Sequence, residues 1–289
     1  MLGRVRSFFS DLSVMEVDCP ALIAFPSLDS GVEVIALEEG YLHTSPEYSM
    51  KRLLAQGVGD IFYLGHVYRK GERGRLHHPE FTMAEWYRTN VSYDAFIEET
   101  ASLIMLFLGT LPIQKISYRE AFLLYAGFDP FEEIDFSAAA KRLGIALSSN
   151  SQEWDRDTWL NLILSHAIEP QLGRGNLTVL LDYPPSQAAL ARLTKKDGLL
   201  VAERFEIYHE GVELSNGYHE LADAAEQRRR FEKENASRVL FGKEPYPLDE
   251  SFLSALETLP DCCGVSVGFD RLMLLRQRCD AISEAILEV

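Results

Sequence analysis

Apolar and polar positions change rhythm several times along the chain. Val5, Phe8, Phe9, Leu12 and Met15 recur at helical spacing over residues 4–16 and predict an amphipathic helix. A short extended piece, Val14 to Cys19, follows and ends at Pro20. Residues 21–43 read as strands and turns, with breaks at Asp29-Ser30-Gly31 and Glu39-Gly40. Ser45-Pro46-Glu47 then opens a helix, with Ser45 as the cap, Pro46 at the first helical position and Glu47 in the first turn. The apolar run Ile61 to Tyr68 ends in Arg69, and a second run occupies His78 to Arg88. Together they predict two antiparallel strands joined by the charged loop Lys70 to His77. Side chains alternate along a strand, so Phe81, Met83, Glu85 and Tyr87 share one face.

Residues 91–200 read as mostly helical, with short helices over Ala138–Leu147 and Thr158–Ile168. Breaks fall at Gly127 to Pro130 and Ser148 to Ser151, and Tyr183-Pro184-Pro185-Ser186-Gln187 reads as a turn into another helix. This stretch carries little chemistry and is expected to be a helical insertion packed on a single core domain. Arg204 to Tyr208 alternates as a strand, His209-Glu210-Gly211 turns, and Val212 resumes the sheet. Asp223 to Leu240 reads as a charged helix whose run Arg228-Arg229-Arg230 is a solvated face by default. Gly264, Ser266 and Gly268 alternate on the last strand, and Arg271 opens the helix after it.

The chain has 289 residues, of which 47% are apolar and 25% charged, within the ordinary globular range. No stretch approaches the roughly 18 apolar residues of a membrane span, and the start lacks a signal-peptide core, so a cytoplasmic protein is expected. The four cysteines, Cys19, Cys262, Cys263 and Cys279, form no Cys-x-x-Cys pair and are expected to be reduced thiols, not zinc ligands. A net charge of −16 argues against a broad nucleic-acid surface, although Arg69, Lys70, Arg73 and Arg75 form a local basic patch. An acidic body suits a protein partner or a cationic small substrate better than tRNA.

Several residues carry candidate chemistry. An aromatic face such as Phe81 can hold a base, Arg69 a phosphate, and Glu85 an ammonium; an ordinary amphipathic hairpin is an equally simple reading. Glu47 either complements its helix dipole or faces a substrate amine. Glu206 and Glu213 approach one another across their hairpin, as a Mg²⁺ pair or as two solvated glutamates. Small residues at 264, 266 and 268 let a ligand approach the backbone, and Arg271 at a helix start favours phosphate.

Three pieces in order resemble the motifs of the class II aminoacyl-tRNA synthetase core: the helix, strand and Pro20; Tyr68-Arg69 through Tyr87; and Gly264 through Arg271. The links Ser45-Pro46-Glu47-Tyr48-x-Met50-Lys51-Arg52-Leu53 and Glu213-Leu214-x-Asn216-Gly217-Tyr218-His219-Glu220-Leu221 are similar to lysyl-tRNA synthetases. They look closest to a shortened branch of that group, which ligates (R)-β-lysine to a lysine of translation elongation factor P and lacks the N-terminal anticodon-binding domain. The resemblance implies an α+β fold, an antiparallel sheet flanked by helices, dimerising through the first helix. It implies ATP contacts from Arg69, Lys70, Gly71, His78, Phe81, Glu213, Leu214, Gly268 and Arg271. Phe81 would stack on adenine with Arg271 on the other face, and Arg69 and Arg271 would be catalytic. Glu206 and Glu213 would hold Mg²⁺.

By the same resemblance, Ser45, Pro46, Glu47, Glu85, Tyr87, Asn216, Glu220 and Ser266 would line the amino-acid pocket. Ser45 and Glu47 would meet one amino end; Glu85, Tyr87 and Glu220 would surround the other ammonium. The partners implied are elongation factor P and (R)-β-lysine or lysine, without tRNA. Two positions depart from the pattern: Gly71 stands where a glutamate usually helps read adenine, with Glu72 next to it, and Ser266 stands where the branch carries alanine. A lysine-activating enzyme with another acceptor, and a non-catalytic relative, remain as alternatives.

Overall fold

A computed structural model describes every residue except 29–30, 149–153 and 287–289. The predicted breaks at Asp29-Ser30 and at Ser149 to Ser151 therefore lie outside the described residues. The chain divides into two compact units, Met1–Gly109 with Gly217–Val289, and Thr110–Asn216.

In the first unit, α1 (Leu2–Asp11), β1 (Met15–Glu16), β2 (Leu22–Ile23), β3 (Ile35–Leu37) and β4 (Gly40–Leu42) lead to α2 (Glu47–Ala55). The long hairpin of β5 (Ile61–Tyr68) and β6 (Glu80–Thr89) follows, then α3 (Tyr93–Leu108). The second unit contains β7 (Ile113–Ser117), α4 (Tyr118–Ala121), α5 (Phe136–Arg142), α6 (Arg156–Ile163), β8 (Leu177–Tyr183), β9 (Leu193–Lys196) and β10 (Leu199–His209). Strand β11 (Val212–His219) runs across the boundary. The first unit resumes with α7 (Ala224–Leu240), α8 (Glu250–Leu256), β12 (Cys262–Gly268), α9 (Phe269–Gln277) and α10 (Ile282–Ala285).

The α+β class holds, and the central pairings of the first unit, β5 with β6 and β6 with β12, are antiparallel. Parallel pairs also occur, β1 with β5 in the first unit and β7 with β8 in the second. The expected helical character of residues 91–200 needs correction. Residues 113–117, 177–183 and 193–196 are strands. All seven residues of β8 are buried, so the strand shows no polar alternation to mark it. The helix at 93–108 belongs to the first unit.

Packing fixes which face of the β5–β6–β12 sheet is free for chemistry. Phe9 of α1 stacks on Phe62 at 4.2 Å and meets Trp86 edge-on at 5.2 Å, and Trp86 also contacts Phe96 of α3. These even-numbered positions of β6 therefore turn toward helices. Phe81, Met83, Glu85 and Tyr87 turn the other way. Arg88 pins the far end of β6 through Asp60 and Glu99. Helix α2 is held by Tyr48, stacked on Phe252 of α8 at 3.9 Å, and by Arg52 paired with Asp249 at 2.6 Å.

Candidate active site

The first unit gathers an acidic cluster on the face of β6 turned away from α1 and α3. Strand register sets Gly264 opposite Tyr87, Ser266 opposite Glu85 and Gly268 opposite Met83. The small residues of β12 thus lie beside the larger ones of β6. A Cβ on Gly264 would overlap the Tyr87 ring and the Glu220 carboxylate, so this glycine makes room for both. Ser45 donates a hydrogen bond to Glu85 at 2.7 Å, and Tyr87 donates to the other oxygen of Glu85 at 2.8 Å. The backbone N–H of Glu47 donates to Ser45 at 3.0 Å. The cap of α2 is Pro46 and not, as expected, Ser45, and Glu47 begins the helix.

Lys51, one turn further along α2, pairs with Glu47 at 2.7 Å and with Glu220 at 2.5 Å. Sequence reading missed this residue. Its signal was the Glu47–Lys51 spacing of one helical turn, which on a surface helix is an ordinary solvated pair. Burial makes it something else: Lys51, Glu85 and Glu220 are all buried. The two ends assigned to the pocket are therefore coupled. Ser45 belongs with Glu85, and Glu47 shares one ammonium with Glu220.

Electrostatics follow from the packing. Burial pushes Glu85 up to about 8, the charge of Glu47 adds to this, and the hydrogen bonds from Ser45 and Tyr87 oppose it. Burial likewise pushes Glu220 up to about 8 against the pull of Lys51. Burial works against the charge of Lys51, yet Glu220 and Glu47 raise its proton affinity overall. Burial raises the Tyr87 hydroxyl, with Glu47, Glu85 and Glu220 adding. Glu85 and Glu220 are thus carboxylates whose proton affinity burial raises. An incoming ammonium would displace their protons.

The arginine side of the same unit lies at the loop between β5 and β6. The Arg69 guanidinium sits 5.1 Å over the Phe81 ring, reaches the carbonyl oxygen of Thr44 at 3.4 Å, and has Glu72 at 3.7 Å. Arg271, in the first turn of α9, donates to the Leu76 carbonyl at 3.3 Å and lies 2.9 Å from His77 Nε2. Arg69 thus places a guanidinium over Phe81. Gly71 adopts φ +78°, a left-handed conformation that favours glycine, in the turn after Arg69. Lys70 is exposed there, and its backbone N–H donates to Glu33 at 2.8 Å. His78 makes a local contact to the Glu80 carbonyl at 2.6 Å. Gly268 caps α9, and Asp270 receives the Thr82 N–H at 2.7 Å, fixing α9 on β6.

In the second unit, Glu206 and Glu213 line one cavity of about 320 Å³ together with Asn161, Ser165, Glu169, Tyr183 and Arg204. The hairpin turn at Glu210-Gly211, both residues at positive φ, brings their strands together. Glu206 accepts hydrogen bonds from Arg204 at 2.6 Å and from Tyr208. Two carboxylates lining one cavity are the donor type that fits the carboxylate share of a Mg²⁺ shell completed by phosphate and water. Among the described residues no group of three or more His, Cys, Asp and Glu side chains is set to hold a metal alone. Asn216 receives Arg204 at 3.2 Å, and Leu214 is buried.

A hairpin bearing arginine and phenylalanine, a glycine-spaced last strand and an arginine in the following helix together define a synthetase-type catalytic core. Residues 1–287 match the family of tRNA synthetases class II (D, K and N), and the chain belongs to it. It is similar to proteins named elongation factor P–(R)-β-lysine ligase. That of Vibrio parahaemolyticus is 40% identical over 297 residues, covering 98% of this chain and 91% of the relative. That of Haemophilus influenzae is 40% identical over 299 residues, covering 99% and 91%. That of Salmonella typhi is 38% identical over 305 residues, with the same coverage.

Proposed function

We propose that this protein is an ATP-dependent, AMP-forming ligase that activates (R)-β-lysine and transfers it to a lysine side chain of elongation factor P. The cluster of buried Glu85 and Glu220 with half-buried Glu47 is the observation that carries the substrate assignment. Such a cluster is the complement of an acid with two ammonium groups, whereas a neutral amino acid would leave carboxylates uncompensated in a buried pocket. The names of the relatives support the same substrate and acceptor.

In the first step a carboxylate oxygen of the amino acid attacks the α-phosphorus of ATP. The bond from that phosphorus to the bridging oxygen breaks, pyrophosphate leaves, and an aminoacyl adenylate forms. Arg69 binds the substrate carboxylate and the α-phosphate, and Arg271 the γ-phosphate, so charge is stabilised by groups already in place. Phe81 supports the adenine ring. Lys70, Gly71, His78, Leu214 and Gly268 line the nucleotide, and Ser45, Pro46, Tyr87, Asn216 and Ser266 shape the amino-acid pocket. Glu206 and Glu213 would hold Mg²⁺, which screens phosphate charge when bound. In the second step the acceptor amine attacks the adenylate carbonyl, AMP leaves with the carboxyl oxygen, and the nitrogen loses a proton to give an amide. The chain works as a homodimer through α1, where Leu2 is exposed, with Leu12 at its C-cap and Met15 in β1 exposed beside it. No helix among the described residues is long and apolar enough to cross a membrane, in keeping with a cytoplasmic enzyme.

Two measurements test this reading. Pyrophosphate exchange with ATP should be supported by (R)-β-lysine, more weakly by α-lysine, and not by leucine. Elongation factor P incubated with the full chain, ATP and β-lysine should gain the mass of one β-lysyl group. Exchange without that mass gain would redirect the acceptor to tRNA or another amine; no exchange with either lysine isomer would leave a non-catalytic relative.

A further inference from the structure

Lys51 is almost wholly buried, with 1% of its side chain exposed, and neither step of the reaction draws on it directly. A buried ammonium is costly unless it is paired. This one is paired twice, with Glu47 of its own helix and with Glu220 just beyond β11. It therefore ties the start of α2 to the strand end and fixes the spacing of two carboxylates that would otherwise repel. Glu85, the third carboxylate, also feels the Lys51 charge. Three carboxylates and one ammonium leave the cluster with two net negative charges when all are ionised.

We propose that Lys51 sets the charge and spacing of the amino-acid pocket, so that the pocket neutralises a substrate carrying two ammonium groups and rejects one carrying a single group. This rests on the substrate class proposed above and assigns a positioning residue to it. Other titratable groups beside the cluster are pushed up by burial first: Tyr87 of β6, with Glu47, Glu85 and Glu220 adding; the Cys262 thiol of β12, with Glu220 adding; and the Cys19 thiol, with Glu85 adding. Lys51 itself keeps its charge, as its two partners outweigh its desolvation. With a diammonium acid bound, every charge has a partner and no carboxyl proton is needed. Without the lysine charge, one carboxyl must stay protonated in the complex to restore the balance. That proton is lost as pH rises, which weakens binding at the alkaline end.

The test is the pH profile of KM for (R)-β-lysine in pyrophosphate exchange, measured for the wild-type chain, Lys51→Met and Lys51→Arg. Lys51→Met is expected to raise that KM by about tenfold or more near pH 8 and by less near pH 6.5, moving the optimum toward acid. Its KM for ATP should stay within about twofold of the wild-type value, as phosphate binding does not involve the cluster. Lys51→Arg, which keeps the charge, should retain the wild-type profile shape even where its KM is higher. A Lys51→Met chain whose KM rises equally at all pH values would overturn the proposal and leave Lys51 a packing residue. Should Lys51→Met not fold, Lys51→Met/Glu47→Gln restores the net charge and should show a profile of wild-type shape; an acid-shifted optimum there would equally overturn it. Wild-type chain that exchanges with neither lysine isomer would remove the substrate reading, and this inference with it, whereas wild-type exchange with an unshifted Lys51→Met profile would remove this inference alone.

Discussion

At the scale of single residues, Glu85 shows how much a period-two pattern can reveal and where it stops. Its place on one face with Phe81 and Tyr87 was legible from alternation, and register bears this out. Its hydrogen bond from Ser45, and the Lys51 bridge to Glu220 beside it, depend on contacts made 40 or more residues apart, which a local pattern does not contain. The burial has a measurable consequence. Glu85 and Glu220 are both raised to about 8 from an ordinary 4.5. The folded chain thus holds protons that the unfolded chain has already released, and stability contributed by these groups falls as pH rises between those values. His43 and His77 are shifted downward, by burial first, so their titration lies below 6.5. Between about pH 6.5 and 8 the ligand-free melting temperature should therefore decline, and saturating β-lysine should abolish the decline by holding the carboxylates ionised. Thermal melts across that window with and without the amino acid would decide it, and parallel curves would count against the raised carboxylates.

Among the elements, those that carry the site were the most readable. The β5–β6 hairpin, the α7 helix with its Asp223 cap, and the strand-to-helix junction at Gly268 each have a punctuating residue and a clear period. The strands of the second unit were not readable for the opposite reason. Leu177–Tyr183 is buried throughout, with Thr178 and Asp182 as buried as the apolar residues between them, so its few polar positions mark no exposed face by which to tell strand from helix. The expected insertion at 91–200 accordingly differs from the compact unit Thr110–Asn216 in both content and bounds. On β12 the glycines were legible as small positions, but their specific use was not. Gly264 admits the Tyr87 ring and the Glu220 carboxylate into space that a methyl group would take. Gly264→Ala should destabilise the chain by about 1–3 kcal/mol, as overpacking does. It should also raise KM for the amino acid while leaving KM for ATP unchanged. Denaturant unfolding and exchange kinetics on the same preparation would test both, and normal amino-acid KM in a destabilised variant would separate Gly264 from the pocket.

On the scale of the whole molecule, charge decides which acceptor is plausible. A net charge of −16, from 28 basic and 44 acidic residues, was legible by counting, but the pairing of the basic residues was not. Arg228 is bound to Glu250, and Arg229 and Arg230 to Glu226, so the triple-arginine run of α7 is neutralised in place. Arg238 and Lys243 converge on Glu33, whose carboxyl is held down at about 2: burial alone would raise it, and the donors Lys243, Arg238 and Tyr246 outweigh that. Arg192, Arg156 and Arg204 each face a glutamate as well. A polyanion gains affinity by meeting clustered unpaired cations and releasing its counterions, and here carboxylates already occupy most of those cations. The full chain should therefore show no saturable retention of tRNA in filter binding at about 0.15 M salt, where unscreened repulsion reaches only about 8 Å. Transfer of β-lysine to elongation factor P should proceed under the same conditions. Micromolar tRNA binding with a steep salt dependence would show that basic residues, those of the Lys70 to Arg75 loop first among them, form an RNA surface after all, and would move the acceptor from protein to nucleic acid.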